Sequence, residues 1–431
     1  MASTIVAPGT ANAAAVASPI DTLCMACDDA GCDFKPTRMQ RRALGPNDVL
    51  IDMKYCGVCH SDLHKAANHM ASVGRPTVYP CVPGHELAGI CTAVGSAVTK
   101  IRVGDQVGVG CLVDSCHECE HCLRGEEQKC KKSVGTYQSR DWSGRAASVP
   151  AGMPTVGGYT SKIVVHERFA IKIPSTYPLA MAGPILCAGI TMFDPLMAHG
   201  ATTGTRVGIV GLGGLGVMGV KLAKALGCVV TAVSRSPSKR DHAIATCGAD
   251  HFIASTDKAA MRAAAGSIDL VLNTIPAMHD YTVYEALVSP LGKHVTLGAN
   301  AVAGGAIYAA KIVGEAKMRT VFSAIGGIKN TQAVVDLCDK AKIYPETKVM
   351  PVSALSEIYE ALDSNNDAGI RYVLDIGTTL TEDAFTVCTA PPPKMQPNTT
   401  GFSYGRIVFE VLRMVGGSLC RASQSKAHPA S

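Results

Sequence analysis

The hexapeptide GLGGLG, Gly211–Gly216, constrains the fold of this chain more than any other stretch. It follows the apolar run Arg206–Gly211 (RVGIVG) and opens a helical pattern from Gly214 to Leu226. In that context Gly211 permits a tight turn, Gly213 lets backbone approach a pyrophosphate, and Gly216 permits helix-on-strand contact. Leu212, Gly214 and Leu215 complete the loop, and the helix N-terminus behind it offers amides and a positive dipole to phosphate. The motif predicts a strand, a phosphate-binding turn and a helix.

The flanking texture extends that unit. Strand-like Val229–Ser234, His251–Ile253, Ile268–Asn273 and Lys293–Gly298 alternate with helical Pro237–Cys247, Asp257–Ala265 and a helix around Tyr281–Leu287. This alternation predicts an α/β domain over residues 188–325, a doubly wound parallel sheet of the Rossmann kind. Residues 20–187 carry short β-branched runs broken by Gly and Pro, the pattern of small antiparallel sheets. After Gly326 come a helix (Asn330–Lys340) and strand-like pieces ending near Ile376. These are too short for a third core, so residues 326–380 are expected to complete the first domain. Residues 1–19 read as a disordered leader. Residues 381–431 contain Pro391–Pro393 and an amphipathic piece, Ile407–Val415, and read as a loosely attached tail.

The end of the second strand of that alternation chooses a cofactor. Dinucleotide sites for NAD place Asp or Glu there to bond the ribose 2′-hydroxyl. Here the chain reads VSRSPSKR, with Ser234, Arg235, Ser236 and Lys239 in its place. Hydroxyls and cations suit a 2′-phosphate that a carboxylate would repel, so NADP(H) is the expected cofactor.

Charge excludes other classes. Across 431 residues, 40 Lys+Arg against 35 Asp+Glu leave a net +5, too little and too dispersed for a nucleic-acid binder. No uncharged apolar run reaches the length of a spanning helix, so no membrane partner is expected. The first basic residue is Lys35, so Met1–Ser18 lacks the positive segment of a secretory or mitochondrial signal. A cytoplasmic location is the expectation, with a plastid peptide left open.

Eighteen cysteines in such a chain point to metal ligands or small buried groups. Cys116, Cys119, Cys122 and Cys130 form Cys-x2-Cys-x2-Cys-x7-Cys. Four thiolates at such spacing close the shell of one tetrahedral Zn²⁺, which then organises a loop and does no chemistry. An iron–sulfur cluster is the rival, disfavoured because Lys131 replaces the proline that often follows the last cysteine. His117 and His121 are expected to be solvated bystanders. A second cluster is dispersed over YCGVCHSDLH (Cys59, Ser61, Asp62, His64), PGHELAG (His85, Glu86) and ILCAGIT (Cys187, Thr191). One His and two Cys would leave a metal's fourth position open to water or substrate oxygen. Cys56, Cys81 and Cys91 have no motif around them and are assigned to the core.

These five motifs, in this order, resemble those of the zinc-dependent medium-chain alcohol dehydrogenases. Within that family the chain is similar to the cinnamyl-alcohol-dehydrogenase group and its NADP-dependent aldehyde reductases, over residues 22–376. The resemblance implies a GroES-like catalytic domain in two pieces around the Rossmann domain, a homodimer, and a small aldehyde or alcohol substrate. It makes Cys59, His85 and Cys187 ligands of a catalytic zinc, Glu86 a carboxylate beside it, and Asp62 the acid bonded to the ligand histidine. Ser61 and His64 become a proton relay through the cofactor ribose, with His64 at the solvent end because its pKa ordinarily lies near neutrality. Thr191, Thr274, Gly298, Ala324, Ile325 and Gly326 are implied to line the cofactor. Two aromatic positions of the lignin-forming members are Gly135 and Ala324 here. That departure points to a broad-range aldehyde reductase, with a dedicated cinnamyl alcohol dehydrogenase and a catalytically silent zinc protein as alternatives. An apparent insertion, Asp141–Val156, carries the only tryptophan, Trp142, which could restore part of that wall.

Overall fold

The computed structural model describes residues 18–71, 74–142, 144, 154–276, 279–297, 320–364 and 369–383. Gly298, residues 1–17, most of the insertion and residues 384–431 lie outside them.

Apolar runs near the middle of the chain build a six-stranded parallel sheet. In space its strands run His251–Ala254, Val229–Ser234, Arg206–Val210, Ile268–Asn273, Val288–Leu297, Thr320–Ser323. Numbered along the chain this is 3-2-1-4-5-6, the Rossmann order, in which ligands bind where the order reverses. The reversal lies at Arg206–Val210, whose C-terminal end leads into GLGGLG. Three elements differ in detail from the sequence expectation. The fifth strand begins at Val288, not Lys293, because a register shift between Ile268↔Val288 and Leu270↔Lys293 carries Pro290 and Gly292 as an irregularity within the strand. The helix expected at Pro237–Cys247 is a 3₁₀ turn, Pro237–Lys239, followed by a π-turn, His242–Thr246. The helix near Tyr281 shrinks to Thr282–Glu285.

Instead of several small sheets, the β-rich region forms one seven-stranded sheet and two two-stranded ones. Its organiser is the ten-residue strand Asp48–Gly57. One edge pairs with Leu87–Val94, while Lys162–His166 and Arg371–Asp375 share the other. The last of these brings Val373 opposite Gly57, joining distant ends of the sequence. Helix Ile328–Ala341, assigned from sequence to this domain, buries Val334, Val335 and Cys338 in a core that joins Ile171 and Ile173 of the β-rich side to Val207, Ile209 and Leu272 of the parallel sheet. It packs on helices Leu179–Ala198 and Gly214–Ala225, and its Gln332 bonds the backbone of Lys172 on the β-rich side.

The continuous helix Leu179–Ala198 is long and apolar enough to cross a bilayer, contrary to the reading of the sequence, but 83% of its apolar window is buried inside the protein. It is a core helix. A π-turn at Ile185–Gly189 interrupts it.

Candidate active site

The ligands of the dispersed cluster stand at element boundaries or, for Cys187, in an irregular turn of a helix. Cys59 is the N-cap of helix His60–Ala66, and Asp62, its third residue, accepts the Cys59 backbone N–H at 2.9 Å. His85 precedes strand Leu87–Val94. Cys187 sits inside the π-turn, a deformation often found at functional sites. Folding brings ligand atoms of Cys59, His85, Glu86 and Cys187 within 4.8 Å of one another, all four residues buried. Cys59 Sγ lies 4.0 Å from Cys187 Sγ, and His85 Nε2 lies 3.2 Å from Cys187 Sγ.

Asp62 organises this centre. Fully buried, it accepts His85 Nδ1–H at 3.0 Å, Gly84 N–H at 3.2 Å and the Tyr159 hydroxyl at 3.2 Å. The first contact leaves Nε2 facing the thiols, the orientation a metal ligand needs. The Cys59 thiol is held well below its ordinary pKa by its hydrogen bond with Cys187, then by His85 and Arg371, against burial. Two thiols and an imidazole with a fixed tautomer match the donor set of an open zinc site.

Glu86 behaves differently. Its Oε1 pairs with the Arg371 guanidinium in a fully enclosed ion pair, while Oε2 has no hydrogen-bond partner. Burial raises its pKa despite that cation. A Cβ added at Gly57 would lie 2.0 Å from Glu86 Oε2, and one at Gly183 would lie 2.4 Å from its backbone oxygen. Gly57 keeps open the slot of the carboxylate, and Gly183 the close approach of the Glu86 backbone. Arg371, unmarked in the sequence reading, also touches the cofactor loop, its Cδ lying 2.8 Å from a Cβ built at Gly214.

Two other neighbours escaped the sequence reading. Cys111 Sγ donates to the carbonyl of Leu186, the residue before Cys187, at 3.7 Å, and the Tyr137 ring stacks on His85 with centroids 5.6 Å apart. The insertion starts just beyond Tyr137, its base closed by Gln138 N–H to Thr155 O and Thr155 N–H to Ser139 O, both 2.8 Å. Trp142 is 56% exposed beneath the Arg140 guanidinium.

Ser61 is exposed, its hydroxyl 3.6 Å from Cys59 Sγ. His64, one helical turn on, faces His69 with Nδ1 atoms 3.1 Å apart. Burial, then His69 and His60, push its pKa down to about 4. The near-neutral pKa expected of His64 is therefore corrected, because its surroundings disfavour the charged ring.

The cofactor loop has the expected shape. Gly211 holds φ +89°, and a Cβ at Gly216 would meet Gly211 O at 1.8 Å. At Gly213 a Cβ would meet nothing within 4 Å, so the loop presents open backbone at the helix start. Thr274 donates to Val210 O at 2.9 Å, fixing the neighbouring strand end to the loop. Ser234 is buried at the end of its strand, Arg235 exposed, and Ser236 N–H donates to Ser234 Oγ at 3.3 Å. Lys239 Nζ reaches back to Leu212 O at 3.3 Å, so its ammonium stands beside the glycine loop. Thr191 is buried four residues beyond Cys187. In the Ala324–Gly326 stretch, Ile325 holds the rare φ +30°.

The four-cysteine cluster is one compact loop. Sulfur separations are 3.8 Å (Cys116–Cys122), 3.6 Å (Cys119–Cys122) and 3.5 Å (Cys116–Cys130). A tetrahedral ion bonded at about 2.3 Å requires sulfurs about 3.8 Å apart, so the donors fit one zinc. Backbone amides of Cys119 and Lys132 donate to Cys116 Sγ and Cys130 Sγ at 3.3 Å. Amides from Glu118 and Cys119 pull the Cys116 thiol down to about 6. His117 is no solvated bystander: its Nε2 meets Asp114 Oδ1 at 2.7 Å and its ring packs on His166 and Phe169. His121 is the more exposed of the two, 3.3 Å from Glu126. Buried Glu127 ties the loop to Arg168 and to the Ile328 amide.

Comparison with known proteins agrees with this geometry. Residues 45–175 match the alcohol dehydrogenase GroES-like domain, and residues 214–340 the zinc-binding dehydrogenase domain. A probable formaldehyde dehydrogenase, AdhA, of Bacillus subtilis (strain 168) is 41% identical over 83% of this chain and 98% of its own. Probable cinnamyl alcohol dehydrogenase 3 of Oryza sativa subsp. japonica is 38% identical over 86% and 98%. The solved cinnamyl alcohol dehydrogenase SbCAD4 of Sorghum bicolor superposes with TM-score 0.73 at 35% identity, covering 83% of this chain and 98% of that one. The Helicobacter pylori enzyme, solved in complex with NADP(H), gives 0.72 at 35% identity, covering 84% and 99%. The chain belongs to the zinc-binding alcohol dehydrogenases, the class that a GroES-like domain joined to a Rossmann sheet defines. Within that class it is a member of the cinnamyl-alcohol-dehydrogenase-like group, an oxidoreductase of alcohols and aldehydes.

Proposed function

We propose that this enzyme uses NADP(H) and reduces a broad range of aromatic and aliphatic aldehydes. The observation that carries the cofactor half is the end of strand Val229–Ser234. There a buried serine replaces the usual carboxylate, and Lys239 leans against the glycine loop. Arg235 and Ser236 lie within the same turn. A 2′-phosphate placed there would meet two cations and two hydroxyls, each charged contact contributing roughly 1.5–3 kcal/mol. The breadth of substrate rests on Gly135 and Ala324, which supply no aromatic wall. Tyr137 over His85 offers one flat surface in their place.

When bound at Cys59, His85 and Cys187, zinc supplies a Lewis acid for the substrate oxygen, and the nicotinamide supplies or accepts the hydride. The protein's own part is orientation and proton movement. Asp62 holds the His85 tautomer. Ser61 Oγ gives the product oxygen its proton in the reducing direction. His64 completes the relay towards solvent, and above about pH 4 it is neutral. It passes a proton by exchanging tautomers and stores none.

Steady-state comparison of NADPH with NADH on cinnamaldehyde, benzaldehydes and short aldehydes tests the proposal. At least tenfold preference for NADPH is expected, and Ser234→Asp with Arg235→Ala should shift preference towards NADH. Equal efficiency with both cofactors would refute the cofactor assignment. Ser61→Ala should lower turnover on the order of 10²–10⁴-fold with zinc content intact.

A further inference from the structure

A third group of metal-binding side chains lies away from both clusters. Ligand atoms of His242, Cys247 and Glu346 fall within 4.8 Å of one another. His242 Nε2 stands 3.5 Å from Glu346 Oε1, yet both atoms are closed off from solvent and neither makes a hydrogen bond. Two facing polar atoms left in that state carry a desolvation cost that Lys221, 3.8 Å from Oε1, offsets only in part. One shared cation would satisfy both.

The backbone explains why these residues meet. In a regular α-helix, positions five apart point about 140° away from each other. The turn His242–Thr246 is instead a π-turn, closed by Cys247 N–H to His242 O at 3.0 Å. That widened turn brings His242 and Cys247 onto one face. The only other π-turn among the described residues, Ile185–Gly189, carries Cys187. Glu346 comes from the segment entering strand Thr347–Pro351, and its carbonyl accepts Arg371 N–H at 2.7 Å, so its backbone is fixed. Lys221 is the nearby cation, 3.8 Å from Glu346 Oε1, and donates to Tyr344 O at 3.0 Å.

We propose that His242, Cys247 and Glu346 form a third metal site, for a borderline divalent cation such as zinc. Imidazole, thiolate and carboxylate together favour zinc over magnesium or calcium. Three protein ligands leave a fourth position for one further donor, such as a water carried in with the ion. Binding displaces the Cys247 proton to solvent. The ion would staple the turn that follows the Ser234–Lys239 cofactor segment to the strand leading back into the β-rich domain. Its effect is on stability and on the placement of that segment.

The experiment is a cobalt titration of the holoenzyme, both family clusters already holding zinc. Wild type should take up one further equivalent, with a thiolate-to-cobalt charge-transfer band and a rise in the thermal midpoint. Cys247→Ala and Glu346→Gln should each weaken that uptake at least tenfold and abolish the band or shift it. Cys228→Ala, which removes a buried thiol outside every cluster, should leave it unchanged. No further equivalent in wild type, or undiminished uptake in Cys247→Ala, would overturn the proposal. If Cys247→Ala fails to fold, His242→Gln applies the same test at a partly exposed position.

Discussion

The four-cysteine loop and the Cys59–His85–Cys187 centre use overlapping ligand chemistry but are built in opposite ways. The first is written in one stretch, residues 116–130. Backbone amides donate to two of its sulfurs, and its histidine packs sideways onto Asp114, His166 and Phe169. The second draws on three distant segments and has no local fold of its own. Its geometry depends on a helix cap, a strand end and a π-turn being placed correctly by the rest of the molecule. A local cluster can organise its own loop. An assembled one needs a finished scaffold, and in return can keep one face open.

Substitutions should separate the two. Cys59→Ala is expected to have the largest effect, lowering turnover by roughly 10⁴-fold through loss of several kcal/mol of metal-assisted stabilisation. The zinc of that centre should be lost, with the thermal midpoint nearly unchanged. Cys130→Ala should do the reverse. Structural zinc contributes folding free energy directly, so a loss of several kcal/mol is expected, read as a lowered unfolding midpoint. An intact midpoint in Cys130→Ala would break the contrast. Asp62→Asn should cost about 10–100-fold in metal retention or turnover, measured by zinc release to a chelator. Smallest is His117→Asn, where loss of one hydrogen bond and ring packing should destabilise by about 1 kcal/mol. Turnover should stay at the wild-type level; a fall in activity would mean that the loop communicates with the open centre.

The same contrast governs what the sequence revealed. The four-cysteine loop was legible from spacing, because its contacts are local. GLGGLG was legible because strand, turn and helix follow one another directly. The ligands of the assembled centre were recognisable as motifs, but their mutual placement was not. Arg371 carries no local mark: it opens the ordinary strand RYVLD and meets Glu86 only through the pairing of Val373 with Gly57. Gly57 and Gly183 read as ordinary turn or helix residues until Glu86 fills the space above them. The lowered pKa of His64 is not legible in the sequence because it comes first from burial, and then from His69, which faces it through a turn that sequence alone does not fix. The His242–Cys247 pair was hidden because a regular helix would point the two apart.

The late position of strand Arg371–Asp375 in the chain also has a meaning in time. A ribosome makes Cys59, His85, Cys187 and the whole parallel sheet before it makes Arg371. Until then Glu86 has no counter-charge for its buried carboxylate, and removing one partner of such a pair costs about 3–5 kcal/mol. A nascent chain can thus hold both thiols and the imidazole while its centre is still electrostatically unfinished. Strand Arg371–Asp375 supplies the missing charge, so full stability requires a chain that extends through it and has released it from the ribosome.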